Sequence, residues 1–171
     1  MTQRLIFLLS VILAAHGPCA IGQEFRVPEG YKFESQADFT HYEPDILRCV
    51  DFLETAPINK DADNRKKANA FFLRWLTGTA RVTIKVQGYV MELAEENKDL
   101  LMVYLGGWAR FVLQNPDNKA EMDCHIAGIQ SVLKAYQHCA GIEQDDNLDD
   151  LLALEKEGKL RAWVLEHMES K

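Results

Sequence analysis

The chain has 171 residues, 47% of them hydrophobic, and carries 26 acidic against 19 basic residues for a net charge of −7. That is enough chain for one domain with a core of its own. An acidic balance without a basic stripe argues against nucleic acid and against an anionic membrane surface as partners.

The first residues have the three parts of a secretory signal peptide. Arg4 is the single charge ahead of an uncharged eleven-residue run, Leu5 to Ala15. A membrane-spanning helix needs about 20 apolar residues, so this run has the length of a signal-peptide h-region. Pro18 breaks the helix, and Ala20-Ile21-Gly22 puts small residues where a signal peptidase reads, so cleavage is expected after Gly22. A lipid anchor on Cys19 is the rival expectation. His16-Gly17-Pro18 matches the small-residue context of lipoprotein processing poorly, which favours a cleaved chain without the anchor. Removing 22 of 171 residues leaves 149, and the loss of Arg4 takes the net charge from −7 to −8.

Residues 23–40, with Pro28 and Gly30, predict an extended N-terminal arm, and residues 41–171 a helical domain. Helical signals begin at Ser35 or later. Pro44 suits a first helical turn, Ile46, Leu47, Val50 and Leu53 give one apolar face, and Pro57 ends the segment. Ala68, Phe71, Phe72, Trp75 and Leu76 follow the i, i+3, i+4, i+7, i+8 pattern without a gap, and Gly78 stands where a left-handed C-cap would fall. Residues 81–86 alternate apolar and polar, which predicts a short extended segment, followed by a short helix over residues 87–95.

From Leu100 to Leu113 the only charge is Arg110. A helix apolar nearly all round belongs at the centre of the fold, and this one is expected over residues 98–114. Asn115-Pro116-Asp117-Asn118 is a turn, and Asn118 with Glu121 resembles a capping box for the next helix. Met122, Ile126, Ile129, Leu133 and Tyr136 make the expected buried seam of that helix, and Gly141 stops it. Two helices follow, over residues 148–157 and 160–168, divided at Gly158. The expectation is a single all-α domain of six or seven helices around a central apolar helix.

Three cysteines lie beyond the leader. Cys124 and Cys139 fall on one predicted helix, fifteen residues and hence about 22 Å apart, out of disulfide reach. An internal bridge would therefore join Cys49 to Cys139 or to Cys124. The alternative is three buried, unpaired thiols serving as small hydrophobes.

Patterns that would carry chemistry fail on spacing. Asp145, Asn147 and Asp149 begin like a calcium loop, which would then need Gly at Asp150 and Glu at Lys156. Cys124-His125 and His138-Cys139 look like metal half-sites, but they lie about four helical turns apart, so no metal site is expected. The chain holds no nucleophile elbow and no P-loop, and Ser131 falls inside a helix. Asn64-Arg65-Lys66-Lys67, the most basic stretch, lies on the polar side of an amphipathic helix and predicts a solvated face.

One feature of the central helix needs a reason. Each interior glycine costs about 1 kcal/mol relative to alanine, yet Gly106 and Gly107 stand together before Trp108 and Arg110. Close approach of a neighbouring helix is one explanation. A small cavity beside Trp108, with Arg110 offering its charge to an anionic ligand, is the other. Gly106, Gly107, Trp108 and Arg110 are therefore the candidate ligand-binding residues.

Asn64-Arg65-Lys66-Lys67-Ala68-Asn69-Ala70-Phe71, Trp75-Leu76-Thr77-Gly78-Thr79, Leu105-Gly106-Gly107-Trp108, Asn115-Pro116 and Ala127-Gly128-Ile129 together resemble segments of small exported helical proteins of Gram-negative bacteria with no assigned function. The resemblance covers residues 40–165 and implies a periplasmic or secreted bacterial protein. It brings no activity, cofactor or site residue. The sequence thus points to an exported, non-enzymatic module that binds a protein or small molecule, with no cofactor and no transmembrane segment in the cleaved chain. An envelope hydrolase with a site assembled from dispersed residues is the alternative.

Overall fold

Ser35 opens the first helix with a reciprocal cap: its Oγ accepts from Asp38 N–H, and Asp38 Oδ2 accepts from Ser35 N–H at 2.8 Å. In the computed structural model, which describes residues 24–118 and 120–169, eight helices follow one another. They are α1 (Gln36–His41), α2 (Glu43–Thr55), α3 (Ala62–Gly78), α4 (Gly88–Leu93), α5 (Asp99–Gln114), α6 (Glu121–His138), α7 (Asp146–Lys156) and α8 (Leu160–Glu169). The fold is all-α, as expected. The additional helix is α1, which lies inside the segment read as an arm. The signal peptide expected over residues 1–22, and the lipid-anchor alternative at Cys19, fall outside the described residues.

The described rest of that arm is neither helix nor strand, turns at Glu29–Gly30, and belongs to the core. Phe25 is buried against Phe52 and Phe71, and Phe33 stacks on Phe39 at 4.9 Å. Asn64 fastens the arm by donating to the Phe25 carbonyl at 2.8 Å. The basic stretch is accordingly corrected. Lys66 and Lys67 are solvated, whereas Arg65 is buried, donating to the carbonyls of Leu53 and Ala56 and pairing with Asp99 at 3.0 Å. Its guanidinium satisfies one carbonyl of the last turn of α2, that of Leu53, and the carbonyl of the C-cap residue Ala56.

Helices α5 and α6 form the central pair, with α2 and α4 against α5, and α7 and α8 against α6. The pair comes close because small residues face each other. The buried residues of α6 are Cys124, His125, Gly128, Ile129, Ser131, Val132, Leu133 and Ala135, while Met122 and Ile126 lie at the margin. Of the expected seam, Ile129 and Leu133 are fully buried and Met122, Ile126 and Tyr136 half-buried; the seam is widened by Cys124, His125, Gly128 and Ala135, because close packing also buries small residues. Gly78 is likewise not a left-handed cap. It is the last residue of α3, and a Cβ there would stand 2.2 Å from Phe39 Cζ. Gly158, at φ +70°, does divide α7 from α8.

Residues 82–87 are extended with no strand partner, and no strand occurs among the described residues. Side chains hold the segment instead: Val82 is buried, Arg81 pairs with Glu43 at 3.1 Å, and Lys85 with Glu121 at 2.7 Å. No helix among the described residues is long and apolar enough to cross a membrane.

Candidate functional site

Successive residues of a helix point about 100° apart, so the four candidate residues on α5 go to different neighbours. Gly106 faces α2, where an added Cβ would meet the Val50 methyls at 3.1 Å. Gly107 faces α6 more tightly: its Cβ would lie 2.3 Å from Ser131 Oγ and 2.7 Å from the Ala127 carbonyl oxygen. Helix packing explains both glycines. Trp108 and Arg110 diverge, and they line separate cavities.

Arg110 lies between α5, α2 and α6 and is engaged through both terminal nitrogens. Its Nη1 donates to Glu54 Oε2 at 2.6 Å and to Asp51 Oδ1 at 2.9 Å; Nη2 donates to Glu54 Oε1 at 2.8 Å and to Ser131 Oγ at 2.9 Å. Lys134 adds a donation to Glu54 Oε2 at 3.1 Å. Glu54 is only 1% exposed. Burial alone would raise its pKa, but the Arg110 hydrogen bonds and charge, with Lys134 behind them, hold it below the ordinary carboxylate value. A neutralised, fourfold-bonded guanidinium is a structural clamp, so Arg110 is not the charge beside Trp108 that the sequence suggested.

Trp108 floors a different cavity, of about 280 Å³, between the extended segment and the α5–α6 pair. Trp108 and Val112 supply its apolar side, Arg81, Thr83, Lys85 and Glu121 its polar side, and Cys124 its deep edge. Hydrogen-bond capacity left on the polar side includes donors on Arg81 and Lys85, the Thr83 hydroxyl and the second oxygen of Glu121. Among the described residues, Arg81 spends one of its nitrogens on Glu43, Lys85 spends one hydrogen on Glu121, and the Thr83 hydroxyl has no partner. Asn118 at the rim is committed: it accepts from Ala120 N–H and donates to Asp123, which replaces the expected capping box.

Behind this cavity lies a side chain that sequence reasoning considered only as half of a metal site. His125 is completely buried, with its ring edge-on to Trp108 at 4.7 Å. Its Nδ1 lies 2.7 Å from the Tyr89 hydroxyl and 2.6 Å from the Tyr104 hydroxyl. Nε2 has no hydrogen-bond partner, because Glu121 Oε1 stands 3.8 Å away. Two phenols at Nδ1 and a carboxylate beyond Nε2 assign the neutral tautomer with hydrogen on Nε2. Burial lowers the imidazole pKa more than Glu121 raises it, and burial pushes Tyr89 up to about 12. Glu121 is held below its ordinary value, first by the Lys85 hydrogen bond. Its two oxygens therefore face two cationic or donor groups, one bonded and one just out of reach.

On the other side of Tyr89 a smaller cavity, about 190 Å³, is lined by Glu92, Asp150, Trp163 and His167. Its charges are acidic, whereas those of the Trp108 cavity are mainly basic. His167 Nδ1–H donates to the Trp163 carbonyl at 2.8 Å. Asp145 caps α7, accepting from Asn147 N–H at 2.8 Å, so the calcium-like spacing is a helix cap. No group of potential metal ligands converges among the described residues.

Cys49, Cys124 and Cys139 are free and buried, with no bridge from Cys49 to Cys139 or to Cys124. Cys49 and Cys139 donate to the carbonyls of Ala68 and Glu54. Cys124, at the cavity edge, is kept a thiol by burial and then by the charges of Asp123 and Glu121. Of the groups now brought together, Arg81, Lys85, Glu121 and His125 were missed as a set. The pairing of Lys85 with Glu121 spans 36 residues, and no local motif encodes it.

Set against profiles of known protein families, curated proteins and solved structures, the chain finds no match in any of the three.

Proposed function

We propose that this is an exported, non-enzymatic binding module that holds a small molecule in the cavity floored by Trp108. The observation that carries the reading is the two-sidedness of the cavity. An indole and Val112 face three side chains, Arg81, Thr83 and Lys85, whose donors are only partly used. An apolar body with few placed polar groups is the general make-up of a ligand site. The export part rests on the leader-like residues 1–22 and agrees with the resemblance to exported Gram-negative proteins.

Binding is favoured over hydrolysis by the state of the reactive groups nearby. Cys124 is a protonated thiol, and His125 is enclosed with its Nδ1 committed to two phenols, so neither is presented to a substrate in the cavity. Native mass spectrometry of the protein, purified from the cells that make it and without reducing agent, tests the reading. A retained non-covalent small mass, lost when Trp108 is changed to Ala, is the expected result. A bare chain that no small amphipathic compound stabilises would contradict it. The same spectrum reports cleavage after Gly22 and whether two hydrogens are lost to a disulfide.

A further inference from the structure

We infer that the Trp108 cavity takes a small organic carboxylate with an apolar body, and that its headgroup draws Lys85 away from Glu121, freeing Glu121 to accept the Nε2–H of His125. The inference rests on the proposed role of this cavity as the ligand site. Three observations lead to it.

Among the charged side chains that line the cavity, Arg81 and Lys85 outnumber Glu121. Their unused hydrogens, with the Thr83 hydroxyl, present a donor surface that an acceptor-rich, negatively charged headgroup completes. An amine would meet two cations against the single carboxylate of Glu121. A neutral amide would satisfy donors but gain nothing from the charges. Trp108 and Val112 offer an apolar contact for the body of the carboxylate, and about 280 Å³ suits a small one.

The second observation is the orphaned Nε2 of His125, completely enclosed by protein and without a hydrogen-bond partner, which in the tautomer assigned above is an N–H lacking an acceptor. A buried unpaired donor is costly to the fold. Glu121 Oε1 stands 3.8 Å away and needs to close by only about 1 Å to accept it. The third is what holds Glu121 back: Lys85 binds its other oxygen at 2.7 Å. A ligand carboxylate competes for that ammonium, and Glu121 is 32% exposed on the side chain, so it has room to turn. The groups facing His125 are Tyr89 on α4, Tyr104 and Trp108 on α5, Glu121 on its own helix and Lys85 from the extended segment. Only the Lys85–Glu121 contact changes partner on binding.

Three probes share one ring and differ in charge: benzoate, benzamide and benzylamine. Calorimetry on the full chain as the cell delivers it gives their affinities, and nitrogen-15 spectra of the histidine side chains report the Nε2–H. Benzoate is expected to bind roughly tenfold or more tightly than benzamide, with benzylamine excluded from this cavity. Lys85→Met erases the preference of benzoate over benzamide, whereas Lys67→Met, at a distant solvated position, leaves it unchanged. On binding of benzoate the His125 Nε2–H resonance moves downfield, and in Glu121→Ala this response is lost while benzoate still binds. Benzamide binding at the cavity as tightly as benzoate would overturn the carboxylate assignment and leave the ligand cavity standing. Benzoate binding with an unmoved His125 signal would overturn the exchange of Glu121. If none of the three perturbs the Trp108 indole, the cavity itself is not the site, and both proposals fall.

Discussion

Two sides of the same helix have opposite characters. Where α5 meets α2, Arg110 is neutralised: both oxygens of a buried Glu54 clamp it, Asp51 and Ser131 take the other hydrogens of its terminal nitrogens, and Lys134 balances the excess. Two residues earlier on the helix, Trp108 faces a cavity whose cations have donors to spare and whose buried imidazole lacks one partner. A closed network adds rigidity, and it leaves nothing for a ligand to satisfy. An open one is less favourable for the empty fold and more favourable for a bound guest. The difference separates a structural charge from a binding charge better than the identity of the residue does.

The comparison can be broken most forcefully at Glu54. Glu54→Ala leaves Arg110 partly buried with only half-exposed Asp51 for a counter-charge, and should lower stability by about 3 kcal/mol in urea unfolding. The wild type should also weaken as the medium is acidified below the ordinary carboxylate value of 4.5. The folded pKa of Glu54 is depressed, so its contribution is complete above that value and is lost as pH falls through the folded one. Glu54→Ala should show less of this acid loss.

The glycines come next. Gly107→Ala forces a Cβ against Ser131 and the Ala127 carbonyl, and should cost about 2 kcal/mol after the gain in helix propensity is counted. Gly106→Ala meets only the Val50 methyls and should change stability by less than about 1 kcal/mol. Equal effects at the two positions in thermal unfolding would contradict the packing described for α5.

His125 sharpens the other side. Its pKa is lowered by burial, so the unfolded chain takes up a proton that the folded interior refuses. Stability should then be fully present above pH 6.5 and decline as pH falls below it, and His125→Gln should remove that part of the slope. The smallest effect is expected at Lys85. Its pair with Glu121 lies at the surface, so Lys85→Met should shift stability by no more than about 0.5 kcal/mol, while abolishing the carboxylate preference. A large stability loss would make Lys85 structural, like Arg110.

Much of this architecture was legible because it is local. The Phe71–Phe72–Trp75 periodicity, the apolar α5, and the divisions at Pro57 and Gly158 all show in runs of neighbouring residues. The site was legible only in part. Gly-Gly-Trp-x-Arg stands out as one unit in the sequence, yet a helix sends those side chains to different partners. The burial of Arg65 has no sequence signal, because its acceptors, the Leu53 and Ala56 carbonyls, are backbone groups brought to it by packing. His125 stands in register with Gly128, Ile129 and Val132, a spacing that marks a buried face once small residues are allowed to count. The pairing of Lys85 with Glu121 arises from tertiary packing alone.

The most direct test of the binding site is a nitrogen-15 amide spectrum of the protein titrated with a mixture of small aromatic carboxylates. The account predicts shifts concentrated at Thr83, Lys85, Trp108, Glu121 and Cys124, with the backbone around Lys134 and Asp150 unmoved. Shifts centred on Glu92, Asp150 and His167, or on Ser131 and Lys134, would contradict it, as would a spectrum that does not change.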